Sequence, residues 1–179
     1  MEEKGTSPGR LFVERVLQRS KQDNGFSARM SRADNPDTEY MALGPLCAFG
    51  INVERDDIRL PYALIGAALC RGREEKDGSL SIGEALRKSV DKESGSSGEL
   101  EDNPRLRRLL ACDSVSEVCM VLRTILAFIQ SRGVSLCYAG LLDDLLRFRG
   151  DEARQRIKRR WAQGFYARNE SSERNADEG

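Results

Sequence analysis

Residues 114–133, SVSEVCMVLRTILAFIQSRG, decide how this chain folds. Ser114 is followed three residues later by Glu117, the spacing at which a serine hydroxyl accepts from the N3 amide while the glutamate reaches back to the cap, so a helix begins here. Val118, Val121, Leu122, Ile125, Leu126 and Ile129 then recur three and four apart, one apolar face of a long helix, and Gly133 supplies the stop. Arg123, between Leu122 and Ile125, is a conspicuous charge in a mostly apolar stretch.

The same signals extend outward on both sides. Asn103-Pro104 is a cap followed by proline at the first helical position, opening a short helix with Leu106, Leu109 and Leu110. Downstream, Ser135 to Phe148 reads as a leucine-rich helix stopped by Gly150. Asp151-Glu152 then places acid at the positive end of a further helix carrying Ile157, Trp161 and Phe165 at i, i+4 and i+8. Four helices joined by short loops predict a bundle over 104–168.

The N-terminal part, 1–90, also reads helical. Pro8-Gly9 precedes Leu11, Phe12, Val16 and Leu17, with Asn24-Gly25 as the stop, and a loop or short turn passes through Arg29 and Arg32. Asn35-Pro36 opens a segment with Leu43, Leu46 and Cys47, interrupted by Gly44-Pro45. Asp56 or Asp57 starts a helix with Ile58, Tyr62, Ile65 and Leu69 that runs to Gly72, and Ser81-Ile82-Gly83-Glu84 is a capping box before Ala85, Leu86 and Val90. Between the parts, residues 91–103 are polar and acidic around Ser94-Gly95-Ser96-Ser97-Gly98, which predicts a flexible connector; 169–179 form a polar tail. The fold class expected is therefore all-α: an N-terminal helical part, a flexible acidic Ser/Gly connector and a C-terminal four-helix part.

Composition narrows the function. The chain has 179 residues, 39% hydrophobic and 32% charged with only 6% aromatic, which suits a helical globular protein rather than a β one. No stretch approaches the roughly 18 to 20 apolar residues of a membrane span, and no signal-peptide core follows Met1, so a cytosolic location without membrane contact is expected. Histidine is absent, which removes the commonest general base and zinc ligand. The five cysteines, 47, 70, 112, 119 and 137, contain no C-x-x-C pair and read as buried free thiols. Asp143-Asp144 could hold a metal, but neighbours on a helix point about 100° apart and no third ligand stands one turn away. Neither enzyme, metal nor cofactor is expected.

The formal net charge of zero hides a segregation. Residues 105–168 carry thirteen basic side chains, twelve of them arginine, against six acidic; the connector before and the tail after are acidic. Arginine suits bidentate phosphate contacts, so the block is a candidate anion-binding surface, with solvated helix faces as the bland alternative. Arg105, Arg107 and Arg108 cluster near a helix start, where cations oppose the dipole by about 0.3–1 kcal/mol each, so stability explains them poorly and a phosphate partner explains them better. Arg154, Arg156, Lys158, Arg159 and Arg160 spread over several faces of the last helix.

Taken in order, Asp23-Asn24-Gly25-x-x-Ala28-Arg29-x-x-Arg32-Ala33, Ala42-Leu43-Gly44-Pro45-Leu46, Ser81-Ile82-Gly83-Glu84-Ala85-Leu86, Pro104-Arg105-Leu106-Arg107-Arg108-Leu109-Leu110 and Trp161-Ala162-x-x-Phe165-Tyr166 resemble the CasB family, the small subunit of the type I-E CRISPR Cascade complex. The likeness runs from about Leu11 to Tyr166; the chain departs from it in Asp151-Glu152, where some members are basic, and in its longer Ser/Gly connector. The resemblance implies an all-helical, non-enzymatic protein present as two copies beside other Cascade subunits. It implies contacts to the backbones of guide RNA and target DNA that stabilise the R-loop, while guide pairing reads sequence. The basic contacts it implies fall on Arg32, on Arg105 with Arg107 or Arg108, and on Arg123; Arg29, Arg154, Lys158 and Arg159 complete the candidate set. Two rivals stay open: an autonomous helical DNA-binding regulator, which would bind duplex with sequence preference, and a pure scaffold, which would not bind nucleic acid at all.

Overall fold

The computed structural model describes residues 6–94 and 102–167. These form nine helices and no strand: α1 (Pro8–Gln22), α2 (Asn24–Met30), α3 (Tyr40–Ala48), α4 (Asp56–Gly72), α5 (Ile82–Ser94), α6 (Pro104–Ala111), α7 (Val115–Ser131), α8 (Tyr138–Leu146) and α9 (Asp151–Tyr166). The all-α expectation is met. Gly95–Gly98 of the expected connector, and the tail 169–179, lie outside the described residues, whereas 91–94 continue α5.

The caps read from the sequence are in place. Ser114 Oγ accepts from the Glu117 amide and Glu117 Oε2 accepts from the Ser114 amide, both at 3.2 Å. Ser81 and Glu84 form the same reciprocal pair, which holds the Glu84 carboxyl below the usual range, chiefly through the Ser81 hydroxyl. Asn103 caps α6 with Pro104 at its first position. Ser114→Ala is expected to lower the unfolding free energy by about 0.5–2 kcal/mol; a urea titration with an unchanged midpoint would show that the cap contributes nothing.

Three local readings are corrected. Asn24-Gly25 opens α2 rather than only stopping α1, because Asp23 serves both helices: its amide donates to Arg19 O at 3.0 Å and its carboxylate accepts from the Phe26 amide at 2.9 Å. Asn35-Pro36 lies in a run of turns, and α3 starts only at Tyr40 and continues through Gly44-Pro45. The leucine-rich helix begins at Tyr138, not Ser135, because Asp77 reaches over from the 73–81 loop to accept from the Tyr138 and Ala139 amides at 2.7 and 3.2 Å.

α4 is the centre of the molecule. Every residue from Pro61 to Cys70 is buried, so this helix is enclosed on all sides rather than along one stripe. α1 and α8 pack together against it, α2 meets its C-terminal half near Gly66 and Arg71, the start of α3 meets its N-terminal half where Glu39 pairs with Arg59, and α7 packs on it as well. α7 then bridges to α5 and α6, and α9 seals that region by packing on α5. The expected C-terminal bundle therefore does not stand alone: α8 packs with N-terminal helices, α5 packs with α9, and both halves share one core.

Two close approaches explain that exchange. A side chain at Gly9 would come within 2.2 Å of Ala139 O, and the Gly9 amide instead donates to Asp143 Oδ1 at 2.9 Å, docking the start of α1 on α8. A side chain at Gly83 would lie 2.1 Å from Trp161 O, so glycine is what lets α5 and α9 touch along their backbones.

The cysteines are all free. Cys70, Cys112 and Cys119 are buried, and burial pushes the Cys119 thiol up to about 12. Cys47 is exposed and Cys137 half-buried, against expectation, because short α3 buries only Ala42 and Leu46 and turns Cys47 outward.

Candidate nucleic-acid interface

Asp34 is a hub in the turn after α2. Its side chain is only 5% exposed. It accepts both terminal nitrogens of Arg71, at the end of α4, at 2.6 Å each, while Arg123 Nε of α7 stands 3.6 Å from Oδ2. One carboxylate thus draws together two guanidiniums that remain 35% and 44% exposed. Arg32, two residues before the hub, is exposed and directs Nη1 toward Met41 Sδ of α3 at 3.5 Å. Arg123, a candidate from the sequence, meets Arg71, which the sequence did not single out, at this hub, whereas Arg32 is a neighbour in the chain whose side chain turns to α3.

A second cluster sits where α6 meets α7. The Arg105 guanidinium lies 3.9 Å over the Phe128 ring, and Arg132 approaches the same ring at 5.4 Å. Cation–π attraction of this kind anchors a guanidinium at the surface. Lys92 Nζ donates to Arg132 O at 3.0 Å, adding a cation from the end of α5. Arg108 is exposed one turn beyond Arg105, and Arg107 pairs with Asp102 at 2.8 Å on the surface.

α7 sets the relation between the clusters. Arg123 and Phe128 are five residues apart, which is about 140° around the helix and about 7.5 Å along it. Beside them run the exposed, uncharged Met120, Thr124, Ala127 and Ser131. The arginines expected on one patch therefore form two groups flanking a neutral strip.

The other candidates are placed differently. Lys158 is buried, its ammonium 3.0 Å from Asp113 Oδ1, and this contact holds the Asp113 carboxyl below its usual range. Arg154 is 16% exposed, bonded to Asp151 and 3.9 Å from the same Asp113. Both fasten α9 to the α6–α7 junction. Arg159 is exposed and has no ion pair among the described residues. Arg29 is exposed and lines a groove between α2 and α3.

The carboxylate pair is used in the fold. Asp143 holds the α1 terminus, while Asp144 Oδ2 accepts from Trp161 Nε1 at 2.8 Å and Oδ1 from Arg160. Burial raises the Asp144 carboxyl above the ordinary range despite those donors. A carboxyl that titrates higher folded than unfolded binds more protons in the native state, so its contribution to stability grows as pH falls through the folded value and is lost as pH rises. The stability of the protein relative to its Asp144→Asn variant is accordingly expected to increase from about pH 7 toward pH 4, the range above the ordinary aspartate value. Paired urea titrations check this; a difference independent of pH would refute it.

Known proteins agree with this frame. A family model described as CRISPR-associated protein Cse2 matches residues 10–166. A Cse2-family protein of Thermus thermophilus superposes with a TM-score of 0.67 at 23% identity, covering 89% of this chain and 98% of that one. CasB of Thermobifida fusca gives 0.62 at 20% identity, over 88% and 94%. At those identities the structures speak for the fold alone; no curated protein sequence matches. No helix among the described residues is long and apolar enough to cross a membrane. With a family match spanning α1 to α9, this chain belongs to the Cse2, or CasB, family of CRISPR-associated proteins.

Proposed function

We propose that the chain is the non-catalytic small subunit of an RNA-guided Cascade complex and that it grips nucleic-acid backbone through the two arginine clusters beside α7. The observation that carries this reading is the pairing of Arg105 over Phe128 with Arg123 beside Asp34, two anchored guanidiniums flanking one uncharged helix strip. Backbone contacts of this kind position a nucleic acid without reading its sequence, which suits a subunit whose guide supplies specificity. The partners in this reading are guide RNA and target DNA, the other Cascade subunits and a second copy of the chain. Arg32, Arg107, Arg108 and Arg159 extend the positive surface, whereas Arg154 and Lys158 serve the fold. The commitment of Asp143 and Asp144 to Gly9, Trp161 and Arg160 supports a non-enzymatic role.

The test uses Arg105→Ala and Arg123→Ala in the assembled complex. Each is expected to shorten R-loop lifetime while guide RNA still co-purifies, and to lower the log–log salt slope by about one. A melting temperature lowered with R-loop lifetime unchanged would identify both as structural charges and overturn the reading.

A further inference from the structure

α3 is a helix without a single charged residue in a chain that is 32% charged, and it buries only Ala42 and Leu46 of its nine residues. Tyr40 is 67% exposed, Cys47 is exposed, and Leu43 between them is half-buried. At its flank Phe26, Met41 and Phe49 line a groove of about 450 Å³ whose rim carries Arg19 and Arg29. Arg19 shares Asp23 at 3.2 Å, and Arg29 has no hydrogen-bonded carboxylate among the described residues.

Gly44 immediately precedes Pro45 inside α3, where a side chain would crowd the proline ring, so glycine lets the helix run through this proline. It also leaves the exposed centre of the face low, with open space above it.

We propose that the exposed face of α3, with the adjoining α2–α3 groove, docks a helical segment of another protein subunit that presents an apolar stripe flanked by carboxylates. The apolar face supplies burial, Gly44 allows the partner's backbone to come close, and Arg19 and Arg29 set the charge of the partner's rim. A two-fold contact with a second copy fits poorly, because it would bring these arginines toward their own copies. Nucleic acid fits poorly as well, because the centre of the face offers phosphate no cation. The proposal rests on membership of a multisubunit complex and not on the arginine clusters beside α7.

The experiment places p-benzoylphenylalanine at the exposed position 40, co-expresses the chain with the other Cascade subunits and a guide RNA, and irradiates the purified complex. A crosslink to a different protein subunit is expected, with maleimide labelling of Cys47 at least tenfold slower in the complex than in the isolated chain. Tyr40→Glu and Arg29→Glu are expected to reduce retention of the subunit at least tenfold with no fall in the melting temperature of the isolated chain, since both side chains are exposed. Crosslinks to nucleic acid, to a second copy or to nothing would overturn the proposal, as would full retention of Tyr40→Glu. If the unaltered chain does not co-purify with the complex, membership itself fails; if it does and only the crosslink is missing, the α3 docking alone fails.

Discussion

Trp161→Ala is expected to lower the unfolding free energy by about 3–5 kcal/mol, the range for removing a large aromatic from a packed core. Trp161 is 1% exposed and stacks on Phe148 with ring centroids 5.8 Å apart and planes 12° from parallel. Its loss empties the seam between α9 and the end of α8, where the indole meets Phe148 and Asp144, while Gly83 and the Trp161 carbonyl already touch on the α5 side and leave α9 little room to close over the space. It also takes a donor from Asp144, whose carboxyl burial already makes difficult to ionise. Trp161→Phe separates the two effects: it keeps most of the ring and loses only the N–H, with an expected loss of about 1–2 kcal/mol. Because Trp161 is the only tryptophan, unfolding is followed by circular dichroism rather than fluorescence. A loss below about 1 kcal/mol in the alanine variant would mean that this seam does not hold α9.

That seam shows what kind of information the sequence carries. Ile157, Trp161 and Phe165 announce the buried face of α9 through spacing alone, and the capping boxes at Ser81 and Ser114 are equally local. Which helix the face meets is not local. Nothing near Trp161 points to Gly83, far earlier in the chain, and the division of the chain at its Ser/Gly stretch points to the wrong neighbour for α8. The burial of α4 was more legible than its amphipathic reading allowed, since Leu60 to Cys70 contains no charged residue.

The interface divides in the same way. Arg105 and Arg123 stand out because one opposes a helix dipole and the other interrupts an apolar run. Arg71 and Arg132 carry no such mark: each sits near the end of a helix, where a cation needs no further explanation. Only folding shows that Arg71 shares Asp34 with Arg123 and that Arg132 shares Phe128 with Arg105. Lys158 gave the opposite error, because a lysine among exposed arginines gives no sign of being buried on Asp113.

The combined variant Arg32→Ala/Arg105→Ala/Arg108→Ala/Arg123→Ala is expected to weaken association of the complex with target DNA by about 10²–10³-fold near 0.15 M salt. Each phosphate contact releases close to one counterion, so four contacts shift the log–log salt slope by roughly three to four and are worth several-fold each at that ionic strength. The loss should be alike for unrelated target sequences, because phosphate contacts carry no base information. It should also shrink as salt is raised toward about 1 M, where the unaltered complex has lost the same contribution. Stability is expected to change little: Arg108 is exposed, Arg32 makes no ion pair among the described residues, and Arg71 keeps its bidentate hold on Asp34 when Arg123 is removed. Arg105 gives up a cation–π contact worth about 0.5–1 kcal/mol at a partly exposed site. Filter binding or single-molecule R-loop lifetimes across a salt series, beside thermal melts of the same preparations, measure both quantities. Weakening that is the same at every salt concentration would show that these arginines act through folding or subunit contacts and not through phosphate.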